Sequence, residues 1–233
     1  IGNQPPEPPP FARDSARAVN NPWGAQALAA VKDLAASNED VLLVGTGLTM
    51  VDAVLSLDAA GHRGRIVGLS RRGLIPRGHT DFTPASVDEA DVPQGNVRAL
   101  WRWLRRRGAE VGWRAAVDSV RPHSQWRWQG LPAGEQRRFA RHARPWWDVH
   151  RHRIAPEVAQ RLHELVAEGR LEIVAGRIQS VEEGQAGLTV AYRRRGGSRV
   201  EQGCFAYMIN CTGPLGTISR TRDPMLQRML AEG

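Results

Sequence analysis

The run Val41-Leu42-Leu43-Val44, broken by Gly45-Thr46-Gly47 and followed by a helical apolar pattern, constrains this chain more than any other feature. Four consecutive apolar residues suit a strand covered on both faces, as in a parallel sheet. Across residues 48–60, Leu48, Val51, Val54 or Leu55, and Leu57 recur on one helical face. Gly61 stands where a helix ends in a left-handed residue. Residues 65–70, RIVGLS, read as a second strand. Parallel strands need a crossover, and a strand–helix–strand unit of about 30 residues supplies one. The chain is therefore expected to be α/β.

The flanking segments extend this frame. PPEPPP (5–10) is a stiff connector, because proline fixes the backbone and removes donors. Residues 24–36 predict a helix, closed by the turn residues 38–40. Residues 71–97 form a long Gly- and Pro-containing loop. Helices are expected at 98–107, 113–120, 135–143 and 156–168; in the last, Pro156 suits the first turn and Gly169 follows the end. The period then changes to two. Residues 171–175 read as a strand, 188–194 and 199–205 as a hairpin around Gly196-Gly197, and 206–210 as a strand closed by Cys211-Thr212-Gly213-Pro214. Residues 224–230 predict a short helix.

Paired glycines between a buried strand and a helix are the start of a dinucleotide-binding fingerprint. The first permits a tight turn, the second lets backbone approach a diphosphate, and the helix directs free N–H groups at the charge. Gly45, Thr46, Gly47, Leu48 and Thr49 are the candidate contacts; Met50 occupies the place of the usual third glycine. A Thr46 buried away from any cleft, or a side chain plugging the cradle, would overturn this reading. At the end of the second strand stands Ser70-Arg71-Arg72, where an NAD site usually carries a carboxylate. Guanidinium groups pair with a 2′-phosphate, so NADPH is expected over NADH.

The stretch RFARHARPWWDVHRHR (138–153) concentrates Arg, His and Trp. Arg144, Trp147, His150 and His152 are candidates for an anionic or aromatic substrate. A metal site on His142, Asp148, His150 and His152 has poor ligand spacing, and none is assigned. A solvated or ion-paired helix end is the ordinary alternative.

Composition narrows the field. The 233 residues carry 32 basic and 24 acidic side chains, net +8, with Lys32 the only lysine. That charge favours anions without choosing one. The chain has no apolar run long enough to span a membrane and no signal peptide, and Cys204 and Cys211 form no disulfide framework. Cytoplasmic location is the default. No catalytic acid, base or nucleophile stands out; a GxSxG elbow is missing. Two competing readings stay open: a metal-dependent thioester hydrolase, and a basic nucleic-acid-binding module, for which no recognition fold is evident.

Taken together, Ile1-Gly2-Asn3 with the prolines, GTGLTMVD (45–52), SRRGLIPRGH (70–79), RPWWDVHRHR (144–153) and NCTGP (210–214) resemble the flavoproteins with two dinucleotide-binding domains, relatives of the flavin monooxygenases. The resemblance implies a Rossmann-like NAD(P)-binding domain inserted in a partial FAD-binding domain, with a helical insertion and a C-terminal β segment. On that layout residues 1–38 are a connector from the FAD domain and a short helix. Residues 39–176 are the NAD(P) domain with its helical insertion at about 95–155, and 177–233 return to the FAD domain. It also implies Asn3, Thr212 and Gly213 near the flavin nucleotide, and NADPH-to-FAD hydride transfer, with monooxygenation as a possible outcome. The implied partners are the two nucleotides and a small-molecule substrate. The upstream strand–helix–strand unit that would hold the ADP part of FAD is missing, so the chain reads as a piece of a longer protein.

Overall fold

The computed structural model describes residues 6–12, 15–214, 219, 221 and 223–232. The chain divides into two compact units, Ile1–Ile75 with Gln160–Gly233, and Pro76–Ala159.

The first unit is built on a seven-stranded sheet. Its strands are β1 (Ala18–Val19), β2 (Val41–Val44), β3 (Ile66–Ser70), β4 (Leu171–Gly184), β5 (Gly187–Arg194), β6 (Val200–Phe205) and β7 (Tyr207–Asn210), in the spatial order β1-β7-β2-β3-β4-β5-β6. From β1 to β4 the pairings are parallel; β4-β5-β6 is an antiparallel meander. All four residues of β2 are buried, as a strand covered on both faces requires. Helix α1 (Ala25–Ser37) ends at left-handed Asn38, whose N–H donates to the Leu34 carbonyl at 2.8 Å. That carbonyl also accepts from Nδ1 of fully buried His62 at 2.9 Å, which fixes the imidazole tautomer at that nitrogen.

Helix α2 (Leu48–Ala59) follows the glycine turn and buries Met50, Val51, Val54 and Leu57. The buried set departs from the expected apolar face at two positions, Leu48 and Met50. Leu48 is exposed, and Met50 is fully buried in the place of the third glycine. Gly61 is left-handed at φ 87°, as the sequence predicts. Asp58, near the C-terminus of α2, accepts a bidentate pair from Arg161 at 2.8 and 3.0 Å and a third contact from Arg170 at 3.0 Å. These guanidiniums hold the Asp58 carboxyl down at about 2.

Strand β4 is longer than residues 171–175. A bulge between Ile178 and Ser180 adds a residue, so Ile178 and Val181 both pack on the core although they are three apart. That irregularity hides the period of two. The hairpin around Gly196-Gly197 and the last strand form as expected, but β7 lies in the same sheet, paired with β2 in the register Asn210↔Val44.

The second unit is helical. Helix α3 (Val97–Val111) is capped by Asn96, whose Oδ1 accepts from the N–H groups of Arg98 and Ala99 at 2.9 and 3.1 Å. Gly112, at φ 81°, separates α3 from α4 (Trp113–Val120). Helices α5 (Ser124–Gln129) and α6 (Ala133–Arg138) follow, then a π-helical turn, Phe139–Ala143, and α7 (Arg144–Arg151). Helix α8 (Pro156–Ala167) carries the chain out of this unit, and α9 (Pro224–Glu232) is the last element. Arg153 is almost wholly buried in a bidentate pair with Asp118 of α4, at 2.8 and 3.1 Å. No helix among the described residues is long and apolar enough to cross a membrane.

Candidate functional site

The glycine turn lies where β2 gives way to α2, at one end of the sheet. Gly45 has φ 106° and donates its N–H to the Leu69 carbonyl at 2.8 Å. A Cβ on Gly45 would overlap the Cys211 carbonyl, so only glycine lets β2 and the end of β7 approach this closely. Gly47 is the N-cap of α2 in an extended conformation, is exposed, and has nothing within 4 Å of where a Cβ would stand. No side chain caps the helix and no acidic residue lies in its first turn. Leu48 is exposed and Thr49 half-buried beside that open N-terminus. An uncapped helix start with positive dipole and room for approach suits an anion.

Thr46 is turned the other way. It is 4% exposed with its methyl over Gly68 of β3, so it is buried as the adverse case describes, but beside the open surface at Gly47 rather than away from it. Its hydroxyl is 2.8 Å from Ser70 Oγ and 2.5 Å from the Leu74 carbonyl, while Ser70 Oγ accepts from the Gly73 N–H at 3.0 Å. A carbonyl only accepts, so the proton order is fixed: Gly73 N–H to Ser70 Oγ, Ser70 O–H to Thr46 Oγ1, Thr46 O–H to Leu74 O. The side chains of Thr46 and Ser70 thus serve as a clamp. They tie the glycine turn to the segment carrying Arg71 and Arg72, and only the Thr46 backbone is left to serve the cradle. No side chain occupies the space at Gly47.

Arg71 is exposed and Arg72 half-buried at the end of β3. The Arg72 pKa is lowered by burial first, then by the charges of Arg71 and Arg195. Arg195 is a residue that sequence reasoning missed. It lies just past β5, and its N–H donates to the Ala175 carbonyl at 2.7 Å. Ala175 is the register partner of Ser70 and also lies against Gly73. A meander far along the chain thus brings a third guanidinium to the end of β3, and no local spacing could have signalled it. Nearby arginines are neutralised: Arg194 by Glu172 and Glu201, Arg65 by Asp40 and Glu172. Among the described residues, Arg71 and Arg195 have no carboxylate partner.

Thr212 and Gly213 stand beside the glycine turn, since the Thr212 backbone nitrogen is 3.0 Å from a Cβ placed on Gly45. Thr212 donates from both N–H (3.2 Å) and hydroxyl (2.7 Å) to Asn210 Oδ1, and Asn210 Nδ2 donates to the Glu7 carbonyl at 3.1 Å in the Pro-rich segment. Asn3 lies outside the described residues. Cys211 is buried, which pushes its thiol up to about 12, with the Asp52 carboxylate adding to the effect; Cys204 is exposed, and both thiols are free.

The four substrate candidates diverge around α7. Trp147 lines a cavity of about 330 Å³ within the second unit. Arg144 points to Asp148 at 3.3 Å. His150 packs edge-on to Trp113 at 4.9 Å and is 2.7 Å from the Trp146 carbonyl through Nδ1. His152 is exposed at the helix end, 3.4 Å from Arg151. No group of three or more His, Cys, Asp or Glu side chains among the described residues is placed to hold a metal ion.

No family model and no curated protein matches the sequence. Solved structures do match. The reduced form of the ornithine hydroxylase PvdA of Pseudomonas aeruginosa aligns at TM-score 0.54 and 15% identity, over 99% of this chain and 47% of that one. The cadaverine monooxygenase DfoA of Erwinia amylovora, bound to FAD, aligns at 0.57 and 10%, over 99% and 46%. The ornithine N-hydroxylase KtzI of Kutzneria, with reduced FAD, NADP+ and L-ornithine, aligns at 0.52 and 13%, over 96% and 49%. The chain spans about half the length of these proteins, and at such identities the likeness is one of fold. The α/β architecture read from the sequence is present, and it is similar to the fold of part of these solved structures.

Proposed function

We propose that the chain holds NADPH and works within a larger FAD-dependent oxidoreductase of the monooxygenase type. The observation that carries this is the open, uncapped start of α2 at Gly47, with Arg71 and Arg72 at the end of the neighbouring strand. On this reading the diphosphate lies against the backbone of Gly45, Thr46, Gly47, Leu48 and Thr49. The 2′-phosphate takes charge-assisted contacts from Arg71, Arg72 and Arg195. When bound, NADPH supplies a hydride and FAD accepts it. This chain's contribution is to grip the nucleotide and fix the end from which the nicotinamide extends.

FAD requires a second cradle. Among the described residues one glycine turn of this kind opens a helix, the turn at residues 45–47. Thr212 and Gly213, beside that turn, are proposed to border the nucleotide. Residues 1–38 and 177–233 are proposed to connect to the FAD-binding part. The substrate is proposed to be a small molecule. Neither the thioester hydrolase nor the nucleic-acid module gains support from the fold or the site.

The test is nucleotide binding by Arg71→Ala/Arg72→Ala. Two lost contacts to a charged group, each worth about 1.5 kcal/mol, weaken NADPH about 100-fold. NADH binding should hold within about twofold, because surface substitutions away from a contact have small effects. Equal losses for both nucleotides would remove the 2′-phosphate role.

A further inference from the structure

The Pro76–Ala159 unit contains a cavity whose wall has a distinct chemistry. Trp101, Trp126, Trp128, Phe139 and Trp147 contribute five aromatic rings. Trp128 and Phe139 meet edge to face at 5.7 Å. Phe139 opens the π-helical turn, an irregularity that recurs at functional sites. The volume of about 330 Å³ matches a small-molecule site rather than a packing defect.

The wall's charge is one-sided. It contains Arg127 and Arg151 and no aspartate or glutamate, although the chain has 24 acidic residues. Arg127 is 7% exposed, lies over the Trp126 ring at 4.1 Å, and donates from Nη2 to the Glu89 carbonyl. Its Nε and Nη1 have no partner among the described residues. The Glu89 carboxylate acts on Arg127 but is not part of the wall. Arg151 is exposed, has no carboxylate partner among the described residues, and lies one helical turn from Trp147 on the same face of α7. A cation without a carboxylate partner, as at Arg151, beside a wall of aromatic rings favours an anion carrying an apolar plane.

We propose that this cavity binds an aromatic carboxylate of one or two rings, its plane between the tryptophans and its carboxylate toward Arg151. Arg127, behind the Trp126 ring, adds to the positive field without touching the ligand. The proposal rests on residues 76–159 alone and is independent of the NADPH reading.

The experiment is isothermal titration calorimetry of the full chain with 2-naphthoate and its neutral analogue 2-naphthamide. The expected result is saturable binding of the carboxylate at one site, about tenfold tighter than the amide, the difference between a charge-assisted and a neutral contact. Arg151→Gln should bring the two ligands within about threefold, because an exposed contact then loses its charge. Its fold is not at risk, since Arg151 lies at the surface. Trp147→Leu should weaken both ligands alike. Absence of saturable binding, equal affinity for the two ligands, or an unchanged preference in Arg151→Gln would each overturn the proposal.

Discussion

Gly45 and Gly47 stand two residues apart, and alanine at each should do different things. At Gly47, φ is −86° and ψ −162°, an extended conformation that alanine adopts freely, and an added methyl meets nothing within 4 Å. The small loss of N-cap preference is offset by reduced freedom of the unfolded chain. Stability should hold within about 0.5 kcal/mol. The methyl nevertheless stands where a diphosphate would approach the start of α2. Overpacking of that kind costs about 1–3 kcal/mol, so NADPH should bind about five- to 150-fold more weakly. At Gly45, φ is 106° and the methyl would overlap the Cys211 carbonyl. Left-handed strain adds about 1–2 kcal/mol and forced separation of the two strand ends about 1–3 kcal/mol more. That sum of roughly 2–5 kcal/mol lowers Tm by about 4–20 °C in a chain of this size. Circular dichroism melts and NADPH fluorescence titrations on the two variants separate the effects. A Gly47→Ala protein that binds NADPH like the parent would refute the cradle, whatever happens at Gly45.

Three further outcomes follow from the same geometry. Thr46→Val keeps the methyl over Gly68 but strands the Ser70 hydroxyl and the Leu74 carbonyl, so it should cost about 1–3 kcal/mol in denaturant unfolding. It should also loosen NADPH more than NADH, because the clamp positions Arg71 and Arg72; an unchanged preference would show that the clamp is structural only. Asp58 is held at about 2 against an ordinary 3.8. A depressed carboxylate contributes stability above its unfolded pKa and loses it as pH falls through the folded one. About 2 kcal/mol should therefore disappear between about pH 4 and pH 2. Asp58→Asn should remove that part of the acid limb, and an acid limb identical to the parent's would contradict the assignment. Finally, a disulfide thiol reagent should titrate one cysteine in the native chain, exposed Cys204, and two in denaturant; rapid native reaction of two thiols would contradict the burial of Cys211.

The sequence made the strand–helix–strand unit legible because each of its signals is local. An apolar run, a glycine break, a helical period and a terminating glycine all fall within residues 41–70; the strand, turn, helix and left-handed Gly61 form, with the helical face realised except at Leu48. What escaped was non-local or irregular. The bulge at Gln179 concealed half of β4, since an extra residue shifts the side chains that follow to the other face. Helix α7 was obscured because its polar residues face three ways: Arg144 toward Asp148, His150 onto Trp113, and Arg151 with Trp147 into the cavity.

The site divides along the same line. Residues adjacent in sequence take opposite roles in space: Thr46 faces inward and fastens, while Gly47 faces outward and leaves room. A motif read as five equivalent contacts is therefore a backbone surface with a side-chain clamp behind it. Arg71 and Arg72 were visible because they follow β3 directly. Arg195 became visible only when β4 and β5 folded back and its N–H reached Ala175, the register partner of Ser70. The Arg72 pKa is lowered first by burial and then by the charges of Arg71 and Arg195, so part of the lowering is repulsion of Arg72 by its two neighbours. Such repulsion opposes folding unless an anion relieves it. Phosphate or a 2′-phosphorylated nucleotide should accordingly raise Tm, and Arg195→Gln should reduce that gain while slightly stabilising the nucleotide-free chain. A nucleotide-free chain made less stable by Arg195→Gln would show that this arginine is held in place by contacts within the fold rather than by the charge it offers to a ligand.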